Sequence, residues 1–409
     1  MMAHNPGFLR NLRDFPRALT AGGLASAAVA GLWNISPLLI TLSAARQANL
    51  PETAAVSWIL SVSVVGGLLS IILSLRYRLP IVGAYTIPGV VLVGAALAHL
   101  PFDQVVGAYW LAGALVLLLG ATGLIGRATA RLPIPIMMGM VTGVLLPFVL
   151  AVLRGLQQAP LLCGVTVAAF FATSAVPGLR RVPPVLTALV AGLVTVTVLG
   201  QADWSAMTFT LARPLLVVPA FSAGAALELV IPLVLMVIAV QNVQGFAALW
   251  AAGYRPHVTG LTMAAGLGSV VSAVAGGHSA CLAGPSTAIV SGPASGPPQG
   301  RYAASVVLGV VWIATGLLAP AATAITRIVP RALVDVLGGL ALLAPMTQFF
   351  QQAFGGRFRL GALAAFLVTV SGLVLFRIAA PFWALVAGAA VALAAERADF
   401  GTVAESEEG

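Results

Sequence analysis

The sequence predicts an all-α polytopic membrane protein whose fourteen transmembrane segments form two inverted repeats of seven. Three observations carry that prediction. The 409 residues are 60% hydrophobic and 8% charged, with a mean hydropathy of +1.05, a composition outside the range of soluble domains. The cations are all arginine, twenty of them with no lysine, and they sit between apolar runs with a strong bias. Two apolar stretches, one in each half, are also broken by glycine and proline in the same way. These are Gly83-Ala84-Tyr85-Thr86-Ile87-Pro88-Gly89 and Gly276-Gly277-His278-Ser279-Ala280-Cys281-Leu282-Ala283-Gly284-Pro285-Ser286-Thr287.

In chain order, a polar head (1–17) leads into segment 1 (19–44), interrupted at Trp33-Asn34-Ile35-Ser36-Pro37. This span reads as a retained first helix and not a cleaved signal peptide. Segment 2 (54–75) ends at Arg76-Tyr77-Arg78, segment 3 (79–100) holds the first break, and segment 4 (105–125) ends at Arg127 and Arg131. Segment 5 (134–153) opens with Pro133 and Pro135, segment 6 (160–175) closes at Pro177-Gly178 and Arg180-Arg181, and segment 7 covers 185–199. Residues 201–223, with Asp203, Arg213, Pro214 and Pro219, form the more polar linker between halves 1–200 and 224–396. The second half holds segments 8 (224–251), 9 (259–275) and 10, which is the second break. Segments 11 (303–319), 12 (332–350), 13 (360–376) and 14 (379–395) follow, then an acidic, solvated tail (397–409).

Fourteen crossings put both termini on one side. Fourteen arginines, from Arg10, Arg13 and Arg17 to Arg397, fall on that side, and only Arg46, Arg154, Arg213, Arg327, Arg331 and Arg377 on the other. The bias predicts cytoplasmic termini in an inner membrane and explains the net charge of +9 without nucleic acid. Because seven is odd, the halves are inverted, the arrangement that yields alternating access around a central site.

Each break reads as an extended piece, a proline as first helical residue and a half-helix shorter than the ~20 residues needed to cross. Such a segment survives at membrane depth only inside protein or beside a water-filled cavity. Half-helices starting at Pro88 and Pro285 would aim their positive N-terminal ends at one midplane cavity, an anion site without a buried cation. Kinks in purely structural helices are the alternative, and the matched positions of the breaks weigh against it. Segment 8 adds Gln241-Asn242-Val243-Gln244-Gly245, and Asn34 overlays Asn242 as its repeat equivalent. Amides in membrane helices often only bond a neighbouring helix, a reading that fits Gln244 best. His278 stands between structural donor and proton carrier, and Glu228 between interfacial acid and coupling carboxylate. Asp335 reads first as a first-turn acid complementing its helix dipole. Cys163 and Cys281 read as small buried apolar side chains, and no metal or cofactor motif is present.

Three runs resemble the BenE family of benzoate/proton symporters: Gln241-Asn242-x-x-Gly245 followed by Ala251-Ala252-Gly253-Tyr254-Arg255-Pro256, Gly276-Gly277-His278-Ser279 before a short helix, and Thr86-Ile87-Pro88-Gly89. The resemblance spans nearly the whole chain. It implies the uracil-permease fold, with a core of segments 1–4 and 8–11 and a gate of segments 5–7 and 12–14. It also implies proton-coupled import of an aromatic carboxylate. The expected binding residues are Asn34, Tyr85, Thr86, Pro88, Gly89 and Gln241 together with Asn242, His278, Ser279, Leu282, Gly284 and Ser286. His278, Glu228 and Asp335 are the proton-coupling candidates; oligomeric state stays open, a homodimer included. A nucleobase/proton symporter would prefer carboxylates where Gln241 and His278 stand. A sulfate-type anion carrier lacks its regulatory domain after Glu396. An intramembrane enzyme lacks paired acids, a metal set or a Ser/His dyad.

Overall fold

The computed structural model describes residues 7–33, 35–123, 134–176, 182–206, 210–375 and 380–400. Asn34, Pro133, the segment ends at Arg127, Arg131, Pro177, Gly178, Arg180 and Arg181, residues 376–379 with Arg377, and the end of the acidic tail lie outside the described residues. The chain is a mostly helical polytopic membrane protein. Among the described residues, six helices are long and apolar enough to cross a membrane: Ala21–Gln47, Glu52–Tyr77, Phe102–Thr122, Ile134–Gln158, Ala223–Ala251 and Arg331–Phe354.

The first half contains α1 (Phe8–Ala18), α2 (Ala21–Trp33), α3 (Ile35–Gln47), α4 (Glu52–Tyr77), β1 (Gly83–Tyr85) and α5 (Ile87–Ala96). It continues through α6 (Phe102–Thr122), α7 (Ile134–Gln158), α8 (Pro160–Ala175) and α9 (Pro184–Val198). The polar head is thus helical over most of its described part. The second half holds α10 (Ala223–Ala251), α11 (Val258–Val274), β2 (Ala280–Leu282), α12 (Gly284–Ser291) and α13 (Tyr302–Leu317). Then come α14 (Ala319–Ile328), which the sequence reading left largely between segments, α15 (Arg331–Phe354), α16 (Arg359–Val370) and α17 (Ala380–Ala395).

Small residues decide how these helices pack. A Cβ on Gly67 of α4 would come 2.5 Å from Gly309 O of α13, and one on Gly309 would come 2.7 Å from Gly67 O. The two backbones touch because neither residue carries a side chain, as is common between apolar helices in lipid. Gly309→Leu should therefore force α4 and α13 apart and destabilise the protein by about 1–3 kcal/mol, read as a lower thermal-unfolding midpoint in detergent. A wild-type midpoint would contradict this contact.

Two packing groups result. One joins α4 to α13 and β1, α6 to α11, and α10 to α12; the other joins α7 to α15 and α16, α8 to α9, and α16 to α17. Helix α3 bridges them by packing on both α5 and α15. The linker crosses helix ends in extended form, with Ala212 N donating to Leu317 O and Val217 N to Val274 O. Ser57 clamps it: Leu215 N donates to Ser57 Oγ, which donates to Ala275 O, at 2.8 Å each.

Candidate substrate site at the crossing of two broken segments

The two extended pieces pair with each other. β1 and β2 run antiparallel with Gly83 opposite Leu282, Ala84 opposite Cys281 and Tyr85 opposite Ala280. Thr86 N donates to Ser279 O and Ala283 N to Val82 O, so the ribbon is bonded up to both half-helix starts. Unpaired strands would leave orphaned backbone groups at membrane depth, and each strand satisfies the other.

The register sets the reach of the site. Thr86 caps α5 at the Ser279 end of the ribbon, and Ala283 precedes α12 at the Val82 end. At about 3.3 Å per residue the two helix starts are roughly 13 Å apart. One carboxylate cannot touch both. The ends also differ: Thr86 Oγ1 accepts from Gly89 N at 3.3 Å, whereas Ala283 offers α12 no side-chain cap. Pro88 and Pro285 occupy second helical positions, one later than the sequence reading, and cost no hydrogen bond in a first turn. The uncapped α12 terminus is the stronger anion receptor.

His278 holds the crossing together. Its ring is fully buried, Nδ1 accepting from Trp58 Nε1 and Nε2 donating to Thr86 O, each at 2.9 Å. A neutral ring with its proton on Nε2 satisfies both bonds. A second ring proton would face the Trp58 N–H head-on. Trp58, Tyr85 and Tyr109 surround the ring, with centroids 5.7, 5.4 and 6.3 Å away, and Trp312 stacks edge-on against Tyr85. Gly89 is required here, because a Cβ would collide with Thr86 and come 3.2 Å from the His278 ring.

Helix α10 brings the amides. Residues Ala226–Val230 and Met236–Gln241 are π-helical, and the second stretch ends at Gln241, after which Asn242 begins the last α-helical part. Such insertions re-aim the side chains beyond them and recur at functional sites. Asn242 Oδ1 accepts from Leu282 N at 3.0 Å, while its buried Nδ2 has no partner among the described residues. Ser279 Oγ, at the Thr86 end of the ribbon, is likewise buried and without a partner among the described residues. A buried polar group left unpaired costs about 1–3 kcal/mol, and the Tyr109 hydroxyl and Trp312 indole N–H, in the aromatic group around His278, are also without a partner among the described residues. Gln241, 8% exposed, and Ser286, 7% exposed, make no side-chain hydrogen bond among the described residues. Helix α10 touches the start of α12, since a Cβ on Gly284 would lie 2.6 Å from Gln244 Cβ.

The expected residues divide accordingly. Asn242, bonded to Leu282 N, sits beside the α12 start with Gly284 and Ser286, and Gln241 precedes it on α10; Thr86, Pro88 and Gly89 form the α5 start, with Ser279 opposite Thr86. Leu282 packs with Ile81, Phe246 and Leu249. Tyr85 is buried in the aromatic group, its hydroxyl 3.5 Å from Thr41 Oγ1. Glu228 is buried at 2% exposure and its Oε2 lies 3.1 Å from Nε2 of half-exposed His99. Asp335 stands in the second turn of α15, not the first, and accepts from Ser43 Oγ of α3 at 3.4 Å. Sequence reasoning missed Trp58, Tyr109, Trp312 and His99. An aromatic residue in an apolar helix carries no signal of which way it faces.

Known proteins resemble the chain along most of its length. Residues 14–394 match the BenE family, described as benzoate membrane transport protein. The inner membrane protein YdcO of Escherichia coli (strain K12) is 32% identical over 82% of this chain and 86% of its own length. The benzoate membrane transport protein of Acinetobacter baylyi is 29% identical over 89% of this chain and 93% of its own. Among solved structures, the transmembrane domain of the cyanobacterial bicarbonate transporter BicA superposes with a TM-score of 0.57 at 17% identity, covering 92% of this chain and 98% of that one. SLC26A9 superposes with a TM-score of 0.63 at 14% identity, covering 94% and 67%. At these identities the superpositions speak to fold alone.

Proposed function

The chain belongs to the BenE family, and we propose that it imports benzoate or a related aromatic carboxylate across the inner membrane, coupled to protons, by alternating access. The observation that carries this reading is the uncapped α12 terminus beside Asn242, whose buried Nδ2 has no partner among the described residues. It suits one carboxylate: first-turn N–H groups meet the charge, amides add hydrogen bonds, and apolar walls accept a flat ring. The carboxylate sits at Gly284–Ser286 with Gln241, and the ring extends toward the α5 start. His278 serves as a positioning residue, holding Thr86 and Trp58, and the proton belongs to Glu228 with His99.

Fourteen segments in two inverted repeats, 1–200 and 224–396 joined by 201–223, complete the proposal. The core is segments 1–4 and 8–11, the gate is segments 5–7 and 12–14, both termini are cytoplasmic, and two copies can pair as a homodimer. The two packing groups agree with that division, and the Ser43–Asp335 contact would lie between core and gate. The second reading is a small inorganic anion carrier, since the uncapped α12 terminus would also meet the charge of an anion without a ring.

Uptake into proteoliposomes under an inward proton gradient tests the proposal against a panel. Labelled benzoate should accumulate above equilibrium and collapse with a protonophore, while uracil, bicarbonate and sulfate should not accumulate. Accumulation of uracil or bicarbonate without benzoate would overturn it.

A further inference from the structure

Helix α1 divides into three faces at about 3.6 residues per turn. Asn11, Asp14, Phe15 and Ala18 turn toward the bundle and are its buried or half-buried positions. Leu9 and Leu12, 72% and 48% exposed, form an outward apolar stripe with Phe8. Arg10, Arg13 and Arg17 form the third face, all exposed.

The inner face fixes the depth of the helix. Asn11 Nδ2 donates to Leu75 O at 2.8 Å, Tyr302 Oη donates to Asn11 O at 2.8 Å, and Arg78 Nη1 donates to Asn11 Oδ1 and Asp14 Oδ2 at 3.0 Å each. Leu75 is in the last turn of the apolar span α4, and Tyr302 is the first residue of α13. Helix α1 is therefore moored to the ends of membrane helices and enters the next span within three residues, at Ala21. Asp14 is occupied by Arg78, and no described carboxylate pairs with Arg10, Arg13 or Arg17. Three unpaired cations beside an exposed apolar stripe at this depth match a bilayer interface with anionic headgroups.

We propose that α1 is an interfacial anchor that binds anionic phospholipid, Leu9 and Leu12 entering the acyl region and Arg10, Arg13 and Arg17 engaging headgroup phosphates. This is independent of what the central site carries. The full-length protein, with Cys163 and Cys281 replaced, would carry a nitroxide on Leu9→Cys or Arg10→Cys in phosphatidylcholine vesicles with or without phosphatidylglycerol. The position-9 label should be reached by oxygen and shielded from an aqueous nickel chelate; the position-10 label should show the reverse. In native mass spectrometry, phosphatidylglycerol should be retained over phosphatidylcholine, and R10Q/R13Q/R17Q should reduce that preference by about tenfold or more. Equal nickel access at both positions, or a label at 9 closed to both reagents as a protein partner would make it, overturns the proposal. So does unchanged lipid preference in the triple variant.

Discussion

Glu228→Gln should abolish benzoate accumulation driven by a proton gradient while exchange of benzoate across the membrane survives. The carboxylate is buried in an apolar helix and held 3.1 Å from His99, whose half-exposed ring leads outward from the end of α5. Glutamine fills the same volume and can still bond His99, but it cannot take up and release a proton. A buried ionisable group in a membrane helix is costly to keep, which fits a group that must change charge during the cycle. Distance gives the prediction its sharpness. His99 follows the ten-residue α5, so the pair sits about 15 Å along the helix from the crossing. Binding at the crossing should therefore be unaffected by the substitution. His99→Gln should slow coupled uptake without abolishing it. Unchanged gradient dependence in Glu228→Gln would move the proton to Asp335 or to the substrate carboxylate.

How much of this could be read in the sequence depended on whether a feature is local. Gly83 to Gly89 and Gly276 to Pro285 announce broken segments, because glycine and proline act on their own backbone. The strand and half-helix at each break follow the reading to within a residue or two. Contacts made across the chain left no such trace. His99 and Glu228 are 129 positions apart, and Trp58 and His278 are 220 apart. His278 was legible as unusual, but not as the residue that spends both ring nitrogens on structure. The matched breaks suggested two equivalent helix ends; the Thr86 cap and the unprotected Ala283 make them unequal, a difference of one side chain. Leu282 was legible as part of the second break, but not its packing with Phe246 and Leu249. The π-helical turns of α10 had no signature, since they shift hydrogen bonds without requiring particular residues.

Benzamide should bind at least tenfold more weakly than benzoate, the second large effect. The two share ring and shape and differ in charge. A helix terminus contributes up to ~2 kcal/mol to an anion in partly buried geometry, and tenfold corresponds to about 1.4 kcal/mol. The α12 terminus is uncapped, so most of the loss should arise there. Gln241→Ala should weaken benzoate severalfold, and benzamide less. Gln244→Ala, whose Cβ packs against Gly284, should lower stability more than affinity. Equilibrium titration of the purified wild-type protein with both ligands, by calorimetry at one pH above the benzoate pKa, is the most direct test. The account predicts a benzoate dissociation constant at least ten times smaller than that of benzamide; equal constants would contradict capture of the anion by the α12 terminus.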